Sequence, residues 1–243
     1  MRKHMMIFGK KQKIFLGIVG GLAVVFGLLA YFQSQGILTV FPTAEDRRLK
    51  QILVIDRSKF AKPDGLPDEQ FQAKITELSA LQKRAQDNLD DADRWFDFGS
   101  AKEFLNDHEG AASAWERSFE LQPLNFVTAG NLGNVYQYFI KNWQKADFYY
   151  HKALEVRPDY TLAYQGLADL YRFNWKEKQS QFEPQMLEAV QKDPQNRATY
   201  YGDLVEFFAT RDLPTAKKYF EEVKKINPKA AAGLLDSYPQ LQQ

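Results

Sequence analysis

Small and apolar residues recur along residues 92–228 as pairs of helical stripes separated by short polar breaks. In the stretch 125–158, positions 129, 132, 133 and 136 hold Ala, Leu, Gly and Tyr, and Ala146, Tyr150, Ala153 and Leu154 repeat the spacing further on. Intervals of three and four residues predict two amphipathic helices. Asn142 lies between them, where a helix N-cap belongs. Gly133 and Ala146 are small enough for the two helices to approach closely, and Pro158 cannot continue a helix and ends the unit. The unit is a helical hairpin. The chain repeats it, each copy closing on a proline at 123, 158, 194 or 228, at steps of 35, 36 and 34 residues.

Four copies at nearly one period mark a repeat architecture. The pattern resembles the tetratricopeptide repeat, a helix–turn–helix of 34 residues. The copies run 92–123, 125–158, 160–194 and 196–228. The first matches at Trp95, Phe98, Gly99, Ala111, Trp115 and Pro123, with Lys102 where tyrosine is expected and Ser118 as the small residue before the proline. The second matches best and has one extra residue in its turn. The third has Tyr164, Leu167, Ala168, Tyr171, Ala189 and Pro194, with a longer turn carrying Trp175 and with Pro184 expected in the first turn of its second helix. The fourth has Tyr200, Phe207, Ala216, Phe220 and Pro228, with Leu204 at the glycine site. Asn125, Asp159 and Asn196 follow the prolines and are expected to cap the next helix. The resemblance implies an all-α fold: a right-handed superhelical stack of hairpins.

Upstream, residues 14–32 carry no charge. As a helix they would span about 28 Å at ~1.5 Å per residue, close to the ~30 Å hydrocarbon core of a bilayer. This predicts a single transmembrane helix. The alternative is a cleaved signal and a secreted product, but signal cores run ~7–15 residues and end in a small-residue cleavage site, and Ala30-Tyr31-Phe32 is a poor one. Residues 1–13 hold Arg2, Lys3, Lys10, Lys11 and Lys13 and no acid, a leader expected to stay in the cytoplasm. The body would then lie outside the cytoplasmic membrane. Gly17 and Gly21 have the spacing of a helix-dimer motif, though glycines are ordinary in membrane helices.

Residues 33–67 read as a connector. Within it, Thr43 and Asp46 form a capping box for a helix reaching toward Phe60, and Gln51 to Ile55 suits a strand equally well. The run from Lys62 to Pro67 is a break. Residues 68–89 then place Phe71, Ile75, Leu78, Leu81, Ala85 and Leu89 on one helical face, expected to close the N-terminal end of the stack. Residues 229–243 supply the matching cap through Ala230, Leu234 and Tyr238, since an open array needs its ends covered. The tail from Gln240 to Gln243 is expected to fray.

Composition narrows the function. Cysteine is absent, so there is no disulfide framework or thiolate metal site. Of 32 basic residues five lie in 1–13, leaving 27 against 31 acids, a net −4, in the remainder. A mildly acidic body argues against nucleic-acid binding. His4, His108 and His151 lack metal-ligand spacing, and no phosphate-binding loop, nucleophile elbow or Rossmann glycine run is present. Asp90-Asp91 suits a helix start. Lys217, Lys218, Lys224 and Lys225 suit a solvated outer face. No enzyme activity, cofactor, metal or small-molecule substrate is expected.

By the resemblance, the first helices line a concave groove, into which residues one and four places after the glycine site point. Those are Asn134 and Gln137 in the second copy and Asp169 and Arg172 in the third, with Asn131, Tyr138, Phe173, Tyr201 and Phe208 nearby; Asn131, Asn134, Tyr138, Asp169, Arg172, Phe173 and Tyr201 are the candidate partner-binding residues. Chaperone-binding members of this family clamp a carboxylate with lysine and asparagine. The corresponding positions hold Gly130, Asn134, Gln165 and Asp169, so that ligand is not expected. The resulting expectation is a membrane-anchored scaffold that binds a protein or peptide outside the cytoplasmic membrane, as similar anchored repeat proteins do in secretion, envelope assembly or cytochrome maturation. The alternatives are a structural or self-assembly module and a regulatory subunit of a membrane enzyme complex.

Overall fold

The computed structural model describes residues 10–35 and 42–242, with side chains from residue 22 onward. Most of the leader, part of the connector and Gln243 lie outside the described residues, and Gly17 and Gly21 are described only as backbone of the first helix. The chain divides into two compact units, Met1–Val54 and Ile55–Gln243. Among the described residues every regular element is helical and no strand occurs.

The first unit holds α1 (Lys10–Ser34) and α2 (Ala44–Ile52). Among the described residues no helix is long and apolar enough to cross a membrane; the side chains of α1 before Leu22 lie outside that set. The capping box at α2 is formed, Thr43 accepting from the Asp46 amide (3.0 Å) and Asp46 from the Thr43 amide (2.7 Å). The helix ends at Ile52, short of Phe60, and Gln51 to Ile55 is not a strand.

The second unit is a succession of helix pairs: α4 (Ala92–Phe104) with α5 (His108–Leu121), α6 (Phe126–Val135) with α7 (Trp143–Val156), α8 (Thr161–Asp169) with α9 (Phe182–Lys192), and α10 (Arg197–Phe208) with α11 (Leu213–Ile226). Before them α3 (Asp68–Asp87) packs on α4, burying Ile75, Leu78 and Ala85. Removing such an Ile or Leu from water is worth about 1.5–3 kcal/mol. After them α12 (Pro228–Ser237) buries Ala231 and Leu234. Ala230 is exposed, one residue off the expected stripe. The C-terminal tail forms a short 3-10 turn in which Leu241 is buried and Gln240 donates to the Ala209 carbonyl (3.4 Å).

Side-chain caps start most of these helices. Asp91, Asp107, Asn125, Asn142, Asp212 and Asn227 each accept from backbone amides of the first turn. Asp159 and Asn196 do not. Asp159 directly follows its proline, one residue too early, and accepts instead from Arg157 Nε (3.1 Å). The Asn196 amide donates to Asp193 (2.8 Å) and Thr161 (3.1 Å). The buried Asp193 carboxylate also takes the Tyr200 hydroxyl (2.6 Å). Burial pulls its pKa up, but the bonds from Tyr200, Asn196 and Thr161 outweigh that and hold it below the ordinary value.

The extra residue in the second hairpin is taken up inside the helix rather than in the loop. A π turn, Tyr136–Ile140, continues α6, and a second, Leu170–Asn174, continues α8. A π turn adds one residue to a helical turn and redirects the side chains beyond it. Pro184 is the third residue of α9, within its first turn.

Two glycine sites explain the close packing. A Cβ on Gly133 would lie 2.5 Å from the Tyr150 ring, and one on Gly166 would lie 2.3 Å from it. The ring of Tyr150 is thus wedged between α6 of its own hairpin and α8 of the next. In the first hairpin the tyrosine site is taken by Lys102, whose ammonium bonds Asp107 at 2.8 Å with both side chains at most 3% exposed. Residues beyond the first unit's end are tied to this hairpin. The Ala61 amide donates to the Leu105 carbonyl (3.0 Å), Asn106 Nδ2 donates to the Ala61 carbonyl (2.8 Å), and Lys59 reaches Glu109 (2.6 Å).

Candidate functional site

The first helices of the pairs, α4, α6, α8 and α10, carry a row of clefts. One of them, with a volume of about 250 Å³, lies between α6 and α8 and is lined by Asn131, Asn134, Tyr138, Tyr160, Leu162 and Asp169 among others. Four of the seven candidate residues therefore meet in one place. They do so because Asn134 and Asp169 each follow the glycine site of their hairpin by one residue, and Tyr138 follows it by five. Equivalent offsets fall on one face of successive helices. Tyr138 Oη donates to Asp169 Oδ2 across the two hairpins (2.6 Å). Burial, then that hydrogen bond, pushes the Tyr138 pKa well above the ordinary phenol value.

The other three candidates are placed differently. Arg172 is only 13% exposed and is held by Asp203 and Glu206 of α10, both at 3.1 Å, with its guanidinium over the rings of Phe173 and Phe182. It braces two neighbouring hairpins. Burial pushes the Asp203 carboxyl up to about 6, with Glu206 and Asp169 adding and Arg172 opposing. Tyr201 lies against Tyr219, ring centroids 6.0 Å apart, and is partly buried. Phe173, under the Arg172 guanidinium, is still 58% exposed.

Phe173 belongs to a series that sequence reasoning took only in part. Phe104, Tyr138 and Phe173 each follow a glycine site, 99, 133 or 168, by five residues, and are 39%, 41% and 58% exposed. Phe104 lines a further cleft between α3 and α4, with a volume of about 410 Å³. The same offset in the first hairpin was the signal for it. Gln137 was expected to face the groove but is buried. Its amide meets Tyr150 Oη and Asn174 Oδ1, each at 2.8 Å. With oxygen and nitrogen exchanged, and the Asn174 amide turned to match, it also donates to the Gly166 carbonyl (3.1 Å) and accepts from the Leu170 amide (3.0 Å). Gln137 thus ties the first π turn to the base of the second.

Gly130, at a position where chaperone-binding repeats carry a clamp residue, has no room for one. A Cβ there would lie 2.8 Å from the Tyr160 ring. Among the described residues no three His, Cys, Asp or Glu side chains gather as a metal site requires.

Solved structures share this helical fold. MamA superposes with a TM-score of 0.55 at 15% identity, covering 68% of this chain and 94% of that one. A double mutant of MamA gives 0.53 at 19% identity over 77% and 97%. The C-terminal part of a TPR repeat-containing protein from Cytophaga hutchinsonii gives 0.52 at 16% identity over 92% and 98%. The fold is tetratricopeptide-like. At these identities the likeness speaks for the fold alone. No family model and no curated protein matches the chain. Within a tetratricopeptide-like stack, the cleft between α6 and α8 is formed by the facing first helices of its two central hairpins.

Proposed function

We propose that this chain is a non-catalytic scaffold that holds a peptide, or a peptide-like segment of a partner protein, along its first-helix groove. The observation that carries this is the pairing of a polar cleft with exposed rings at a repeated offset. Phe104, Tyr138 and Phe173 leave large apolar surface in water beside Asn131, Asn134 and Asp169. Rings supply contact area and amides supply backbone hydrogen bonds, the mixture that binds an extended chain. Residues 14–32 support a membrane anchor because they carry no charge over a length that suits a bilayer core. The basic residues before them support a body held outside the cytoplasmic membrane.

A photo-crosslinking phenylalanine placed at Tyr138 or Phe173 of the full chain, in its own membrane, should capture one and the same protein. The same group at Phe148, exposed on the second helix α7, should not. Tyr138→Ala with Phe173→Ala should abolish co-purification of that protein while circular dichroism still reports a folded helical chain, since such anchors each cost about 2 kcal/mol or more of binding when truncated. Capture from Phe148 alone would move the binding surface to the other face. Because the chain has no cysteine, a single Gln191→Cys gives a topology probe: a membrane-impermeant maleimide should label it in spheroplasts without lysis.

A further inference from the structure

The groove's charge says more about the occupant. Among the described residues, the three clefts beyond the one at α3 are lined by Glu103, Asp169, Asp203 and Glu206 and by no lysine or arginine. Three of these four are answered from the side. Glu103 bonds His108 (2.9 Å), while Asp203 and Glu206 share Arg172. Asp169 is different. Among the described residues its carboxylate accepts only the Tyr138 hydroxyl, on Oδ2, and no cation lies within ion-pair distance. The nearby Arg157 pairs with Asp159 and lies over Phe126 instead. So a carboxylate sits in a cleft walled by Tyr138, Tyr160 and Leu162, with Oδ1 unbonded.

We propose that this cleft receives a lysine or arginine side chain of the bound peptide, its cation on Asp169 and its aliphatic stem along Tyr138, Tyr160 and Leu162. The inference rests on the groove being the binding surface, as proposed above. Long basic side chains lay apolar stems on apolar walls while the charged head finds a partner, and a cation beside tyrosine faces gains further attraction. The carboxylate, partly shielded from water, makes the contact directional where a free surface charge would be screened.

A random peptide library displayed on phage, selected against the full chain in nanodiscs, tests it. Selected sequences should be enriched in Arg or Lys at one position, and the enrichment should vanish for Asp169→Asn while persisting for the exposed Asp236→Asn. Asparagine keeps an acceptor for Tyr138, so the fold is retained, which circular dichroism checks. For one selected peptide, replacing the basic residue by its neutral isostere, citrulline for Arg, should weaken binding about tenfold to the wild-type chain and leave binding to the Asp169→Asn chain unchanged. Binders that require Tyr138 yet show no basic preference would overturn this inference and leave the groove reading standing. Binders indifferent to both Tyr138 and Asp169, or no binders at all, would bring both down.

Discussion

At the scale of single residues, glycines that look alike in the sequence have opposite roles. Gly133 and Gly166 face the two sides of the Tyr150 ring, so a methyl group at either must push that ring aside. Gly202, inside α10, has nothing within 4 Å of where its Cβ would stand. Gly166→Ala should therefore cost about 1–3 kcal/mol through overpacking. Gly202→Ala should gain about 0.5–1 kcal/mol from lost unfolded-state freedom and better helix propensity. Urea melts of the two variants decide it, and equal effects would mean that Tyr150 is not wedged. Lys102 makes a similar point. Its ammonium and the Asp107 carboxylate are buried together, and Asp107 also caps α5 by accepting from the Gly110 amide (3.1 Å). That closeness explains Gly110, whose Cβ would lie 2.2 Å from Asp107 Oδ2.

At the scale of elements, the two π turns determine how neighbouring hairpins meet. Each ends a first helix, and the buried Gln137 amide bridges from one to the other through Tyr150, Asn174 and the backbone near Gly166. Leu at position 137 would match the amide in size but offer no hydrogen bonds, stranding several buried partners. Gln137→Leu should cost about 1–3 kcal/mol for each group left unsatisfied, and amide exchange should speed up in both Tyr136–Ile140 and Leu170–Asn174. Acceleration in the first turn only would show that the bridge does not couple them. An acid on each of α5, α7 and α9 also meets a tyrosine of the following hairpin: Glu116 with Tyr136 (2.7 Å), Asp147 with Tyr171, and Glu183 with Tyr219. These bonds hold hairpin to hairpin, where the apolar contacts alone would allow sliding.

At the scale of the whole molecule, the buried tyrosines tie stability to pH. Burial first, and then acids or other charges facing the ring, pushes the pKa of Tyr136, Tyr149, Tyr150, Tyr171 and Tyr200 well above the ordinary value. An unfolded tyrosine ionises near pH ~10, whereas the folded one keeps its proton beyond that. Above about pH 10 the unfolded chain therefore binds fewer protons than the folded one, and stability falls as pH rises. The contribution is fully present below that point. Melting temperature should be level between about pH 7 and 9 and drop steeply above about pH 10, with Tyr136→Phe and Tyr171→Phe flattening the drop. A profile that stays level to pH ~12 would show that these hydroxyls are not buried in solution.

The repeat was legible in the sequence because one helical face must be apolar at each turn, and the period of Trp95, Leu132, Leu167 and their partners records that need directly. Prolines and the caps Asn125 and Asn142 marked the ends for equally local reasons. The candidate groove was legible in part, since a fixed offset from the glycine site places Asn134, Tyr138, Asp169 and Phe173 on one side. What the sequence could not contain is anything decided between hairpins. Whether Arg172 faces a ligand or Asp203, whether Gln137 is solvated or buried, and whether an inserted residue lengthens a loop or becomes a π turn depend on the neighbouring hairpin. The sequence marked Asp169 as a groove residue, but only the fold set it between Tyr138 and Leu162 with no described cation within ion-pair distance. Local pattern specifies the elements because backbone and burial act over a few residues; the packing of hairpin on hairpin assigns each polar side chain its partner.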